Sequence, residues 1–300
     1  MQTLVSSPFG SLLTAMVTPF TPDGKVDLDR AASLAEYLIG EGNDGVVVCG
    51  TAGEASTLGD QEKEDLVRVV KETLGERALV IAGTGTNDTS RSIEMAKRAA
   101  KAGADGQLVV TPYYNKPTQA GVFDHFTRIA AATNMPVMLY DIPGRAGIAI
   151  SGETFERLAD NPQIVAVKDA KADFSSMMEI LRKTRLAVYA GDDALAFPWL
   201  SAGAAGVVSV SANAAPRHFR QMVDALRTGA WLHARKINVE LTPLIRAVMD
   251  HVPAAVSAKL LLNRQGRLPC NVVRSPLSQP LPTEIAGITT ELLDTQWALA

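Results

Sequence analysis

The stretch KAGADGQLVVTPYY (residues 101–114) runs from the end of a helical pattern through a strand into a polar, aromatic loop. Gly103 can take the left-handed conformation that commonly stops a helix. GQLVV then reads as a short strand, apolar on both faces, and TPYY as the loop that leaves it. The phrase recurs: EGNDG precedes GVVVCG (45–50), and SAGAAG precedes GVVSVSAN (206–213). The other β-branched runs are LLTAMVTP (12–19), ALVIAGTG (78–85), GQLVVTPYY (106–114), PVMLYDIP (136–143), IVAVKDA (164–170) and LAVYAGDD (186–193), eight in all. Amphipathic segments such as DLDRAASLAEYLIGEG and SRSIEMAKRAAKAGA lie between them. Eight parallel strands buried on both faces, each followed by a helix, predict an α/β fold closed into a (β/α)₈ TIM barrel. A doubly wound open sheet is the alternative, but GTGTND after the third run lacks the last glycine of a dinucleotide fingerprint. From about residue 217 the pattern is all helical with no linker, which predicts a catalytic barrel over residues 1–229 and C-terminal helices over 230–300 packed on it.

The chain has 300 residues, 47% hydrophobic and 20% charged, enough apolar surface for a large core. A formal net charge of -3 with scattered Lys and Arg leaves no electrostatic footprint for nucleic acid or an anionic membrane, so neither partner is expected. MQTLVSSPFG carries no basic residue, and no apolar run approaches the length of a membrane span; a cytoplasmic protein is expected. Cys49 and Cys270 form no CxxC spacing and read as packed or free thiols.

In such barrels chemistry sits where strands end and loops begin. That rule selects Gly50 to Glu54, Tyr113, Tyr114, Tyr140, Arg145, Lys168, Asp169, Asp192, Asp193, Ser209 and Asn213. Lys168 follows Ile, Val and Ala neighbours; loss of hydration there disfavours the ammonium, and the neutral amine attacks ketones to give a Schiff base. The competing reading is a solvated Lys168–Asp169 strand end. Schiff-base chemistry also needs proton donors, and Tyr140, Thr51 and another phenol could relay protons. GTAGEAS offers a turn leading into a helix, suited to an anion, and Arg145 could grip a carboxylate as a fork. A metal site built on Asp192 and Asp193 is the rival class, but the four histidines stand singly and no HxH or HExxH spacing supports it. No metal is expected.

AMVTPF, GTAGEAST, VIAGTGTN, VVTPYYNKP, LYDIPGR, VKDA, GDD and VSVSAN, in this order, resemble the dihydrodipicolinate synthase family. That family lies among the pyruvate-dependent class I aldolases related to N-acetylneuraminate lyase, and the likeness is to its actinobacterial branch. It covers roughly residues 10–245 and weakens in the tail. The resemblance implies that Lys168 forms the Schiff base with pyruvate, so that no cofactor is needed, and that Tyr140, Thr51 and Tyr114 form the proton relay, Tyr114 reaching into a neighbouring subunit. Thr51, Ala52, Arg145 and Val208 would bind substrate, Arg145 holding the carboxylate of L-aspartate semialdehyde. The implied product is 4-hydroxy-tetrahydrodipicolinate, on the way to diaminopimelate and lysine, and the implied assembly is a homotetramer, a dimer of dimers.

Two departures stand out. The family usually has a second Thr at Ala52, whose hydroxyl helps hold the pyruvate carboxylate. In lysine-inhibited members two histidines and a glutamate stand where this chain has Asp60, Lys63 and Arg91, with Asn87 and Tyr113 as effector-site remnants. Two cations in place of a carboxylate predict weak feedback by lysine. A sister aldolase acting on another 2-keto acid and a catalytically impaired paralogue remain as alternatives.

Overall fold

Eight parallel strands close on themselves in chain order: β1 (Leu12–Ala15), β2 (Gly45–Val48), β3 (Leu79–Gly83), β4 (Gly106–Val110), β5 (Val137–Asp141), β6 (Ile164–Asp169), β7 (Ala187–Ala190) and β8 (Gly206–Ser209). The structure is a computed structural model and describes residues 7–297; the first six residues of MQTLVSSPFG and the last three of the 230–300 extension lie outside the described residues. Helices follow the strands: α1 (Leu28–Gly40), α2 (Asp60–Leu74), α3 (Thr89–Lys101), α4 (Gln119–Ala130), α5 (Pro143–Ala146), α6 (Gly152–Ala159), α7 (Phe174–Lys183), α8 (Ala196–Ser201) and α9 (Pro216–Arg227). The barrel read from the sequence is therefore present, and all eight runs supply its strands. Each run is longer than its strand. The residues left over (MVTP, CG, TG, TPYY, IP, Ala170, GDD and VSAN) are the loops at the C-terminal mouth.

The glycine phrases act as expected. Gly42, Gly103 and Gly203 have φ of +102°, +91° and +107°. In each case the next N–H turns back to a helix carbonyl five residues earlier, for example Ala104 N to Ala99 O at 3.1 Å. The helix is stopped and the chain aimed into the next strand by one device.

Buried Val, Leu and Ile side chains fill the layer between strands and helices, each worth roughly 1.5–3 kcal/mol on burial. Inside the barrel the residues are a mixture of small and large, from Ala166 and Ala187 to Met138 and Tyr189. Phe9 seals the bottom, its ring centroid 6.4 Å from that of Tyr189. The Tyr189 hydroxyl donates to Gly10 O at 2.9 Å and accepts from Phe9 N at 3.0 Å, so this tyrosine belongs to the floor.

The helical region expected from about residue 217 begins with α9, the barrel's own helix after β8. Beyond it α10 (Trp231–Met249), α11 (Ala254–Arg264) and α12 (Pro282–Leu292) follow, with α10 packed on α9, α11 and α12. The region is not wholly helical. Residues 265–281 are turns and extended chain, because Pro269, Pro276 and Pro280 interrupt any helix there.

Candidate active site

Lys168 sits near the end of β6, in register with Tyr140 on β5 and Tyr189 on β7. Residues in register on parallel strands share a face, and this face is the barrel interior. The lysine side chain is 4% exposed, with Nζ 4.5 Å from the centroid of the Tyr140 ring. One position further along, Asp141 and Asp169 are also in register, and alternation turns them toward the helices. Asp141 accepts from Ile150 N at 3.2 Å, and burial pushes its carboxyl up to about 7. Asp169 accepts from Lys171 N at 2.9 Å while its second oxygen is buried without a hydrogen bond; burial raises its pKa too.

Above these strand ends lies a cavity of about 570 Å³. Thr51, Tyr113, Tyr114, Tyr140, Arg145 and Lys63 all contribute to its wall. Lys168 lies beneath this wall, next to the Tyr140 ring, and does not itself line the cavity. Ala52 and Val208 are buried and pack with Tyr140 in the barrel interior. Tyr114 points away from its own chain, 89% exposed with φ +72°. Among the described residues no hydrogen bond joins the hydroxyls of Thr51, Tyr114 and Tyr140. The structure thus gathers the expected residues around one mouth without closing a relay in a single chain.

The turn carrying Thr51 and Ala52 starts at Cys49 and ends at Glu54, two non-glycine residues with φ of +55° and +56°. Gly83 makes room for it: a Cβ there would lie 2.1 Å from Cys49 O. GTAGEAS does not lead straight into a helix as expected. It makes a single 3₁₀ turn, Ala55–Thr57, and α2 begins only at Asp60. Burial pushes the Cys49 thiol up to about 12, which suits a packed residue rather than a nucleophile.

The remaining mouth residues hold the scaffold. Asn213 donates to Ala15 O (2.9 Å) and Val210 O (2.8 Å), tying the turn after β8 to β1. Asp192 caps a 3₁₀ turn through Ala194 N at 2.9 Å, and Asp193 accepts from Ser211 N at 2.7 Å. Ser209 Oγ accepts from Ala212 N at 2.9 Å. Among the described residues no three His, Cys, Asp or Glu side chains gather as a metal site. His125 is buried in α4 with Nδ1 2.9 Å from Thr89 Oγ1, and burial pushes its pKa down to about 4.

The effector-site residues need a correction. Arg91 is not a free cation facing the cavity: it pairs with Asp60 and, at 3.1 Å, with Glu94. Lys63 lines the cavity, and its ammonium makes no ion pair among the described residues. Tyr113 also lines it, whereas Asn87 accepts from Asn115 Nδ2 at 2.9 Å through its backbone carbonyl. Sequence reasoning placed Glu54 at the mouth without a partner; the partner is Lys259. A lone lysine in AAVSAKLLLNR, on a helix otherwise almost wholly apolar, was the available signal.

A closed (β/α)₈ barrel with a buried lysine beside a tyrosine, under a cavity at its C-terminal mouth that carries tyrosine and threonine hydroxyls and Arg145, has the build of a class I aldolase, a lyase. The chain belongs to the dihydrodipicolinate synthetase family, which matches residues 8–291. A 4-hydroxy-tetrahydrodipicolinate synthase of Kineococcus radiotolerans is 49% identical over 285 residues, 95% of this chain and 92% of that protein. Among solved structures, a dihydrodipicolinate synthase of Bacillus anthracis is 39% identical with a TM-score of 0.92, over 95% of this chain and 98% of the other. A chloride-inhibited dihydrodipicolinate synthase of Acinetobacter baumannii, solved with pyruvate, is 34% identical with a TM-score of 0.92, over 97% and 100%.

Proposed function

We propose that this chain condenses pyruvate with L-aspartate semialdehyde through a lysine Schiff base, giving 4-hydroxy-tetrahydrodipicolinate for diaminopimelate and lysine synthesis. The observation that carries the reading is Lys168, buried on the inner face of β6 with Nζ against the ring of Tyr140. The amine adds to the keto carbon of pyruvate, water leaves, and loss of a proton from the methyl carbon gives the enamine that attacks the aldehyde; the amino group of the aldehyde substrate then displaces Lys168 from the imine carbon, which closes the ring and frees the lysine. Tyr140 and Thr51, at the wall of one cavity, together with the Tyr114 hydroxyl of a neighbouring copy of the chain, supply and remove protons in these steps. Thr51 and Ala52 receive the pyruvate carboxylate at the backbone of the turn, and Val208 belongs to the same interior cluster as Ala52. Arg145, on the same wall, holds the carboxylate of the aldehyde; this favours aspartate semialdehyde over a sugar aldehyde.

The chemistry requires no cofactor, since the covalent imine itself serves as electron sink. Among the described residues, we assign those up to 229 to the catalytic barrel and those from 230 on to an extension of it. The working form is a homotetramer, a dimer of dimers; the outward Tyr114 with its left-handed backbone supports a residue that completes its neighbour's relay. No helix among the described residues is long and apolar enough to cross a membrane, and we place the enzyme in the cytoplasm. The test is borohydride reduction in the presence of pyruvate, followed by peptide mass spectrometry. One pyruvyl adduct per chain at Lys168 is expected, with turnover of aspartate semialdehyde that survives EDTA. Adduct at another lysine, or none at saturating pyruvate, would remove the mechanism.

A further inference from the structure

Behind the turn that carries Thr51 and Ala52 lies a buried ion pair that the reaction does not use. Glu54 and Lys259 side chains are each 1% exposed and bonded to one another, although 205 residues apart. Glu54 spends its second oxygen on Arg274 N at 2.9 Å, and Lys259 donates also to Val272 O at 2.9 Å. Lys259 Nζ stands 3.9 Å from the centroid of the Phe20 ring, and the Arg274 guanidinium 4.5 Å from the same ring. Arg274 then reaches the far end of the turn, donating to Thr57 O at 2.9 Å and pairing with Glu62 at 2.6 Å.

A buried ion pair is weak evidence for stability, because desolvating two charges offsets most of their attraction, but it does impose one geometry. Here the geometry imposed is that of a backbone which would not hold itself. Glu54 is a non-glycine residue with φ +56°, a conformation that persists only where its surroundings over-determine it. Its N–H bonds to Thr51 O at 3.1 Å, so the position of Glu54 sets that of Thr51. On the other side Thr18 Oγ1 donates to Gly53 O at 2.6 Å. The turn is held from the loop after β1 by Thr18 and from α11 and the extended segment after it by Lys259 and Arg274.

We propose that Glu54, Lys259 and Arg274 are positioning residues for pyruvate: the C-terminal extension clamps the Gly50–Glu54 turn in the conformation that receives the substrate carboxylate. The proposal rests on the pyruvate reading above. The test uses the full-length enzyme and compares Glu54→Gln/Lys259→Met, which keeps the volume and removes both charges, with Arg274→Gln, which loosens the outer, partly exposed end. For each, folding is checked by circular dichroism, and KM for both substrates, kcat and borohydride trapping are measured. The double variant should raise pyruvate KM at least fivefold, leave aspartate semialdehyde KM within twofold, and still trap pyruvate on Lys168 at saturation. Arg274→Gln should raise pyruvate KM at least threefold, and it decides the matter if the double variant does not fold. A folded variant whose pyruvate KM stays within twofold of the parent, or whose two KM values rise together, would overturn the clamp while leaving the function intact. A parent enzyme that traps no pyruvate would overturn both.

Discussion

Lys168 owes its chemistry to a single step of strand alternation. At the same height on β5 and β6 the amine and the Tyr140 phenol face the interior, while Asp141 and Asp169 face the helices one residue later. Had the register slipped by one, a carboxylate would face the substrate and the amine would lie among apolar side chains. Tyr140→Phe keeps the ring against Nζ and removes the proton donor. Its kcat should fall by about 10²- to 10⁴-fold, while pyruvate is still trapped on Lys168, more slowly; full turnover by this variant would remove Tyr140 from the relay. Ala52 invites the opposite experiment. Restoring the hydroxyl in Ala52→Thr should lower pyruvate KM, since a hydrogen bond to a charged group is worth roughly 1.5–3 kcal/mol. A KM that rises or stays constant would show a pocket rebuilt around Ala52, which is 5% exposed and packed in the barrel interior.

At the scale of elements, the loops decide more than the strands. The wall that β2, β3 and α2 contribute to the mouth carries Lys63, while the carboxylate next to it, Asp60, is engaged by Arg91. A lysine effector would bring an ammonium to a place where, among the described residues, Lys63 makes no ion pair and no carboxylate lines the cavity, and like charges oppose its binding. Millimolar L-lysine should therefore inhibit little in an initial-rate assay at subsaturating pyruvate and constant ionic strength. Half-inhibition below about 1 mM, roughly 4 kcal/mol of binding, would mean that the Asp60–Arg91 pair opens to admit it. Sequence alone suggested two opposing cations, Lys63 and Arg91; the structure leaves one, because α2 and α3 bring Asp60 against Arg91.

Across the whole molecule, two buried titrating groups bracket the pH range of stability. Asp141 has a folded pKa near 7, above its unfolded value, so the native state holds a proton that the unfolded chain has released. Its contribution is full at low pH and is lost as pH rises from about 4 through about 7. His125 works the other way: with a folded pKa near 4, below its unfolded value, it lowers stability as pH falls from about 6.5 to about 4. Replacing Asp141 by Asn keeps an acceptor for Ile150 N and removes the ionisation. Urea midpoints should show Asp141→Asn gaining on the parent by roughly 2–3 kcal/mol between pH 5 and pH 8, at about 1.4 kcal/mol per unit. Parallel pH profiles for the two proteins would show that Asp141 does not titrate in this range.

The strands, their order and the mouth residues were legible in the chain because their causes are local. A fully buried parallel strand must be a short apolar run, a helix aimed into it ends on a residue free to take positive φ, and the loop between them needs polar or aromatic residues wherever it meets solvent or substrate. Lys168, Tyr140, Thr51 and Arg145 follow from that grammar. What the tertiary structure alone decided are the pairings between charges distant in sequence: Asp60 with Arg91, and Glu54 with Lys259 and Arg274. No periodicity records them, because each partner sits on a different element and the attraction exists only once the barrel has closed and the extension has packed against the turn after β2. The left-handed turn between Cys49 and Glu54 is likewise tertiary, since those two residues take positive φ only where Gly83 gives way on one side and the buried ion pair holds on the other.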